Sequence, residues 1–323
     1  MPDPEGIDTM FCIVKATFLL QEQPVLAPEQ LPVSFEDQYV GEPGQSSFLK
    51  PSDVAQMKPS TDILLIGSAH APQGSPVRQM DVSLSVGPVS RTIRVFGDRV
   101  WYQGMGSYAM TAPAPFTVMP LTWERAFGGV DWTNGGQIQW HAENRNPVGT
   151  GFRVSNGQKK VEGMRVPNLE DPRDLISSIH DRPAPANFGP ICAHWEPRRN
   201  YAGTYDAAWQ KTRAPYLPKD FDSRFFHLAP PELIAPAHLQ GGEPVQIFGA
   251  TPSGVLRFYL PQVRIRSAFR IERNNNVRPA VLDTVILEPD AGRLIMLWKS
   301  SFRCDKQALR VREIEAGIDP GMR

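Results

Sequence analysis

Hydrophobic positions follow a two-residue period near both ends of the chain and lose that rhythm in the middle. In MDVSLSVGPVSRTIRVFGDRVW (80–101), Val82, Leu84 and Val86 alternate with Ser83 and Ser85, Gly87-Pro88 interrupts, and Ile93 and Val95 resume the alternation. Successive side chains of a strand point to opposite faces, so this pattern with its Gly-Pro break predicts a β-hairpin. A second hairpin is predicted where Leu282–Leu287 and Leu294–Trp298 flank the turn Pro289-Asp290-Ala291-Gly292. MFCIVKATFLL (10–20) is a run of β-branched and aromatic residues, and LPVSFEDQYV (31–40) alternates as a half-buried strand does. TDILLIGSAHAP (61–72) is almost continuously apolar, which suits a strand buried on both faces. The segments 243–269 and 277–302 return to strand patterns, and KQALRVREIEAG (306–317) fits either a closing helix or a last strand.

From about Trp101 to Ile191 the texture is Gly, Pro, Asn and aromatic residues with weak helical periodicity. LTWERAFGG (121–129) predicts one short helix stopped by Gly128-Gly129, and NLEDPRDLISSI (168–179) a second with Pro172 in its first turn. TYDAAWQKTRAP (204–215) allows two helical turns from about Asp206, N-capped by Thr204 or Asp206 and ended by Pro215 and Pro218. The rest reads as long ordered loops draped over a sheet. Ordinary connections run to about 4–6 residues, so loops of this length need a function or a scaffold to hold them. The expected fold is mainly β (β-rich α+β): antiparallel sheets or a sandwich, long Pro/Gly/aromatic-rich loops and a few short helices. One domain spanning 1–323 is expected, its C-terminal strands completing a sheet begun by the N-terminal ones; a division into 1–240 and 241–323 is the alternative.

Composition narrows the function. Lys+Arg and Asp+Glu stand at 34 each, so no global field draws the chain to nucleic acid or to an anionic membrane. The arginines Arg264, Arg266, Arg270 and Arg273 alternate with apolar residues, as on the solvent face of a strand. Cys12, Cys192 and Cys304 are far apart and lack metal-ligand spacing, which points to a reducing compartment. The N-terminus MPDPEGIDTM has no signal-peptide character and no apolar run reaches the ~18–20 residues of a membrane span, so a cytoplasmic location is expected.

Catalytic and cofactor motifs are weak. Ser68 and His70 in GSAH stand two apart on a predicted strand, on one face but not on a nucleophile elbow. His70, His141, His180, His194, His227 and His238 show no metal-binding spacing, and QGMGSY (103–108) has glycines without the helix a phosphate cradle needs. No cofactor and no metal is therefore expected. The densest cluster of reactive side chains is GTYDAAWQKTRAPYLPKDFDSRFFHLAPPE (203–232), with Asp206, Asp220, Asp222 and His227. One reading is a carbohydrate- or cell-wall-active hydrolase, which requires two facing carboxylates, one with a raised pKa. The other is a loop tied by Asp caps and ion pairs to Lys219 and Arg224. Aromatics from Trp101 to Phe226, Trp132 and Trp140 among them, lie beside Arg125, Arg198 and Arg199. Trp, Tyr and Arg anchor protein interfaces, and Trp195, Arg198, Tyr205, Trp209 and Phe225 are the partner-binding candidates.

Several strings in order carry a resemblance: KPSTDILLIGSAHAP, MDVSLSVGPVSRTIRVFGDRVW, PLTWERAFGG, NPVGTGF, PNLEDPRDLI, RPAPANFGPI, W-x-P-R at 195–198, AGTYDAAW, LPKDFDSRFF and the APPE of 229–232. From roughly residue 10 to residue 300 the chain resembles a bacterial family of unknown-function domains found in type VI secretion gene clusters. That resemblance implies a non-enzymatic adaptor or chaperone that holds a toxic effector and helps load it onto the secretion spike. Its implied partners are the cognate effector and the spike protein, with no nucleic acid and no membrane insertion. It transfers no catalytic residue.

Overall fold

The computed structural model describes residue 3 and residues 5–134 and 138–319. Among these residues strands dominate, with a single six-residue α-helix and several 3-10 turns, so the protein is mainly β. Two five-stranded sheets organise it. The first runs in the order Val25–Leu26, Thr9–Leu19, Arg293–Arg303, Val281–Glu288, Asp62–Leu65. Its pairs are antiparallel except the last, where Asp62–Leu65 lies parallel to Val281–Glu288. The second, antiparallel throughout, runs Leu169–Glu170, Val89–Phe96, Gln79–Val86, Pro244–Phe248, Val255–Tyr259. Both sheets combine strands from either side of residue 240, and the N-terminal strand is paired along its whole length, from Thr9 with Arg303 to Leu19 with Arg293.

Both hairpins read from the sequence are present. Val82 faces Ile93 across the first, Gly87 takes the turn at φ +53°, and Val82, Leu84, Val86, Ile93 and Val95 are buried. In the second, Gly292 closes the turn at φ +62°, a left-handed conformation that favours glycine. The two sheets share one continuous apolar cluster that includes Ile63, Leu65, Leu84, Ile93, Ile247, Val285, Leu287, Leu294 and Met296. A smaller cluster gathers Trp101, Phe127, Val161, Val166 and Ile176 under the middle loops. The last strand, Val311–Ile318, pairs with Ile265–Ile271, so 306–317 is a strand after one 3-10 turn. On Ile265–Ile271 the exposed Arg266 and Arg270 alternate with buried Ile265, Phe269 and Ile271, and Arg270 pairs with Glu313.

Three expectations are corrected. Within 31–40 only Gln38–Tyr39 is a strand; Asp53 takes the Ser34 N–H and Asp37 the Ser52 N–H, so side chains replace a ladder. Segment 121–129 holds a single 3-10 turn, Trp123–Arg125. Gly128 is there for close approach, since a Cβ on it would stand 2.1 Å from the Asn146 carbonyl. Segment 168–179 is not helical: Leu169–Glu170 pairs with Val95 and Arg94, and the Glu170 carboxylate accepts the Ile176 N–H at 2.7 Å. That side chain takes up a donor a helix would have used. The predicted helix at Asp206 does form, as Ala207–Thr212, with the Asp206 carboxylate accepting the Trp209 N–H at 2.8 Å.

Candidate functional site

Alternation along Arg293–Arg303 sends Leu294, Met296 and Trp298 to one face and Ile295, Leu297 and Lys299 to the other. Over Leu297 and Lys299 the loops around 51–58, 193–198 and 217–228 enclose a cavity of about 380 Å³. Phe48, Val54, Leu217, Phe225, Phe226 and Ile286 supply much of its apolar wall. Lys58, Asp283, Thr284, Lys299 and Arg198 bring polar groups to it.

These groups belong to a buried charge network. Lys58 Nζ lies 2.8 Å from Asp62 and 3.3 Å from Asp283, and donates to Thr284 Oγ1 at 2.5 Å. Lys299 Nζ stands 3.4 Å from Asp283 and donates to the Ala55 carbonyl at 3.2 Å. Asp62, the first residue of its strand, meets His227 Nδ1 at 2.6 Å and accepts the Leu228 N–H at 2.6 Å. Asp283 sits at a register shift between Leu282 and Thr284, and such a bulge re-aims a side chain. All four charged side chains are buried.

Burial opposes every charge here, and neighbours outweigh it at three of the four groups. It drives the Asp62 carboxyl up, but Lys58 and a hydrogen bond from His227 outweigh it and bring its pKa down to about 2. For Asp283 too, burial is overcome by Lys58 and Lys299, and the carboxyl lies below its usual range. Burial pulls the Lys58 pKa down, yet Asp283 and Asp62 outweigh it and raise it above its usual value. On Lys299 burial prevails over Asp283, and the repulsion of Lys58 adds to it, so its pKa is lowered.

The sequence candidates separate into different settings. Trp195 is 0% exposed, packs edge-on to Trp123 at 5.9 Å and leaves no surface for a partner. Arg198 is also buried, its Nε donating to the Phe225 carbonyl at 3.0 Å and its Nη1 to that of Ile191 at 2.6 Å. Phe225 is half-buried at the cavity wall, 5.2 Å beneath the Arg198 guanidinium. Tyr205 is exposed and meets the half-buried Trp209 edge-on at 4.7 Å. The reactive-looking Asp residues each hold local backbone. Asp220 accepts the Thr204 N–H and hydroxyl, which keep its carboxyl below the usual range. Asp222 caps the turn Ser223–Phe226 and is likewise lowered, by its hydrogen bonds with Arg224. His70 meets Asp290 at 2.7 Å. Among the described residues no group of three or more His, Cys, Asp or Glu is placed to hold a metal ion, and no helix is long and apolar enough to cross a membrane.

A second feature lies outside both sheets. Val130–Asn134 and Ile138–Ala142 form a two-stranded ribbon with Val130 opposite Ala142 and Trp132 opposite Trp140. The period of two puts Val130, Trp132, Ile138, Trp140 and Ala142 on one face. Ile138 is 63% and Trp140 69% exposed, and the two indole rings lie 5.6 Å apart. The other face is pinned by Asp131, whose fully buried carboxylate accepts the backbone N–H groups of Val154, Trp132 and Lys159. Gly157 makes room for it: a Cβ there would stand 1.8 Å from Asp131 Oδ2.

The family described as an uncharacterized protein conserved in bacteria (DUF2169) matches residues 5–299. The chain belongs to this family. No curated protein and no solved structure matches it. The DUF2169 match takes in the whole charge network and the ribbon, and ends before the strand Val311–Ile318.

Four network residues of this DUF2169 protein, Lys58, Asp62, Asp283 and Lys299, lie outside the aromatic-rich segment that holds the sequence candidates. Their signal was nonetheless present. Asp62 opens the apolar run ILLI, Asp283 interrupts VL-TVIL, and Lys299 follows LIMLW. A lone charge inside a strand buried on both faces needs a partner, and each of these has one.

Proposed function

We propose that this protein is a non-catalytic adaptor of a type VI secretion system, binding a toxic effector before secretion and helping to load it onto the spike. The supporting observation is the apolar face of the 130–142 ribbon. An isolated two-stranded ribbon is only marginally stable in water, yet this one exposes Val130, Ile138 and Trp140, with the half-buried Trp132 beside Trp140. Such a face is what an apolar segment of a partner protein covers, with Trp140 as anchor. The Asp131 clamp keeps the ribbon formed without using its outer face. The resemblance of the ordered strings to a family found in type VI secretion clusters supports a partner of one class: a secreted effector, shielded by the adaptor until loading.

The test is co-purification from the native cytoplasm with mass spectrometry, comparing the wild-type chain with an Ile138→Ser, Trp140→Ser variant. Substitutions at such exposed positions usually change stability by no more than about 0.5 kcal/mol, so the variant keeps its unfolding midpoint. The wild type retains the effector encoded in its gene cluster and the variant loses it. Deleting the gene lowers effector abundance and secretion. Unchanged effector abundance and secretion in the deletion strain overturns the adaptor reading.

A further inference from the structure

The cavity over Leu297 and Lys299 has chemistry that the adaptor reading does not use. Arg198 is more than nine-tenths buried and lines it. A guanidinium has five N–H donors, and here Nε and Nη1 go to two backbone carbonyls. Among the described residues no carboxylate lies within ion-pair distance of Arg198, whereas Lys58 and Lys299 are each paired with Asp283. The innermost charges are three cations, Lys58, Lys299 and Arg198, against two carboxylates, Asp62 and Asp283. Asp53, also in the lining, is taken by Lys15 at 2.8 Å, and the exposed Asp37 at the rim accepts the Ser52 N–H. A buried guanidinium lacking a carboxylate is costly unless an anion completes it.

We propose that this cavity is a binding site for a carboxylate with an apolar body, its carboxylate seated on the free edge of Arg198 and its body against Phe225, Phe226, Phe48 and Leu217. The volume of about 380 Å³ falls in the range of small-molecule sites, roughly 300–1,000 Å³. The carboxylate matches the planar fork of the guanidinium. A dianion such as a phosphate monoester fits less well, because Asp283, Asp53 and Asp37 share the same lining. The same chemistry belongs to a free aryl or alkyl acid and to the C-terminus of a peptide ending in an apolar residue.

Titration calorimetry on the full chain tests the site with 3-phenylpropionate and octanoate, against 3-phenylpropanamide and phenyl phosphate. A second arm compares an apolar tripeptide bearing a free C-terminal carboxylate with its C-terminal amide. The acids bind saturably at one per chain, and each neutral amide binds about tenfold more weakly or not at all, as expected for loss of a charge-assisted bidentate pair. Tighter binding in the first arm identifies a free acid as the ligand, and in the second a protein C-terminus. Arg198→Met removes the preference of acid over amide. Because Arg198 also ties two loops together, Ala193→Trp provides a second variant: it fills the cavity from a half-buried lining position and abolishes binding while leaving the cations in place. Acid and amide binding equally, no saturable binding of any acid, or full binding by a folded Ala193→Trp chain each overturns the proposal.

Discussion

Replacing Asp62 with asparagine keeps the shape of the side chain and removes the charge on which the network converges. In the native chain that carboxylate is fully buried, 2.8 Å from Lys58 Nζ, and accepts the Leu228 N–H. Its pKa of about 2, against an ordinary 3.8, means that ionised Asp62 contributes about 2 kcal/mol at neutral pH. The substitution also leaves Lys58 with only Asp283, which Lys299 shares. Stripping one partner from a buried pair costs about 3–5 kcal/mol, an amount that includes the linkage figure. The expected loss is thus about 2–5 kcal/mol, a large part of the roughly 5–15 kcal/mol typical of a folded protein. Urea unfolding followed by tryptophan fluorescence measures it, with the buried Trp123, Trp195 and Trp298 as reporters. The sign of the pH dependence is fixed. A carboxyl with a depressed folded pKa gives stability that is fully present above the unfolded value near 3.8 and is lost as pH falls through about 2. The gap between wild type and Asp62→Asn therefore stays constant from pH 7 to about pH 4 and narrows below that. The double variant Lys58→Met, Asp62→Asn loses less than the sum of the two single variants, because the uncompensated lysine is gone. A loss under about 1 kcal/mol, or a gap that does not narrow in acid, refutes the view that Asp62 holds the network together.

Two further outcomes follow from close packing and burial. Gly157→Ala places a Cβ against Asp131 and destabilises the ribbon base by about 1–3 kcal/mol; faster hydrogen exchange at the Val154 and Lys159 amides reports it, and unchanged exchange refutes the clamp. Cys192 is buried and its thiol is pushed up to about 12, chiefly by burial, so a thiol reagent at pH 8 leaves it unmodified until urea unfolds the chain; labelling of Cys192 in the native protein refutes its burial.

The hairpins at 79–96 and 281–303 were legible because alternation, turn residues and burial agree there position by position. The short helix was legible for a similar reason: Asp206 is both the cap by residue type and the cap by geometry. The segment 168–179 misled because a helix-like spacing hid a Glu170 whose side chain serves a distant arginine and a nearby amide. In the candidate stretch 203–232 Asp206, Asp220 and Asp222 bond within the stretch itself and Glu232 reaches Arg91, while Phe225, Phe226 and His227 face the cavity or the network beneath it. What periodicity does not encode is which loop descends onto which strand.

The charge network supplies that missing link. A connection as long as 191–243, with one short helix and a few 3-10 turns, does not order itself, since each residue fixed costs about 1–2 kcal/mol of backbone entropy. Here Asp62 takes His227 and the Leu228 N–H from one loop, Asp283 takes the backbone N–H of Lys58 from another, and Lys299 donates to the Ala55 carbonyl. Each of these contacts joins a loop to a charged side chain whose position is set by the first sheet. Apolar residues at these positions would bury as well but would bind any loop of matching volume. A carboxylate inside a sheet accepts only donors placed at the right distance and angle, so the few charges that interrupt the apolar strands select where the loops come down and leave Arg198 at the cavity they enclose.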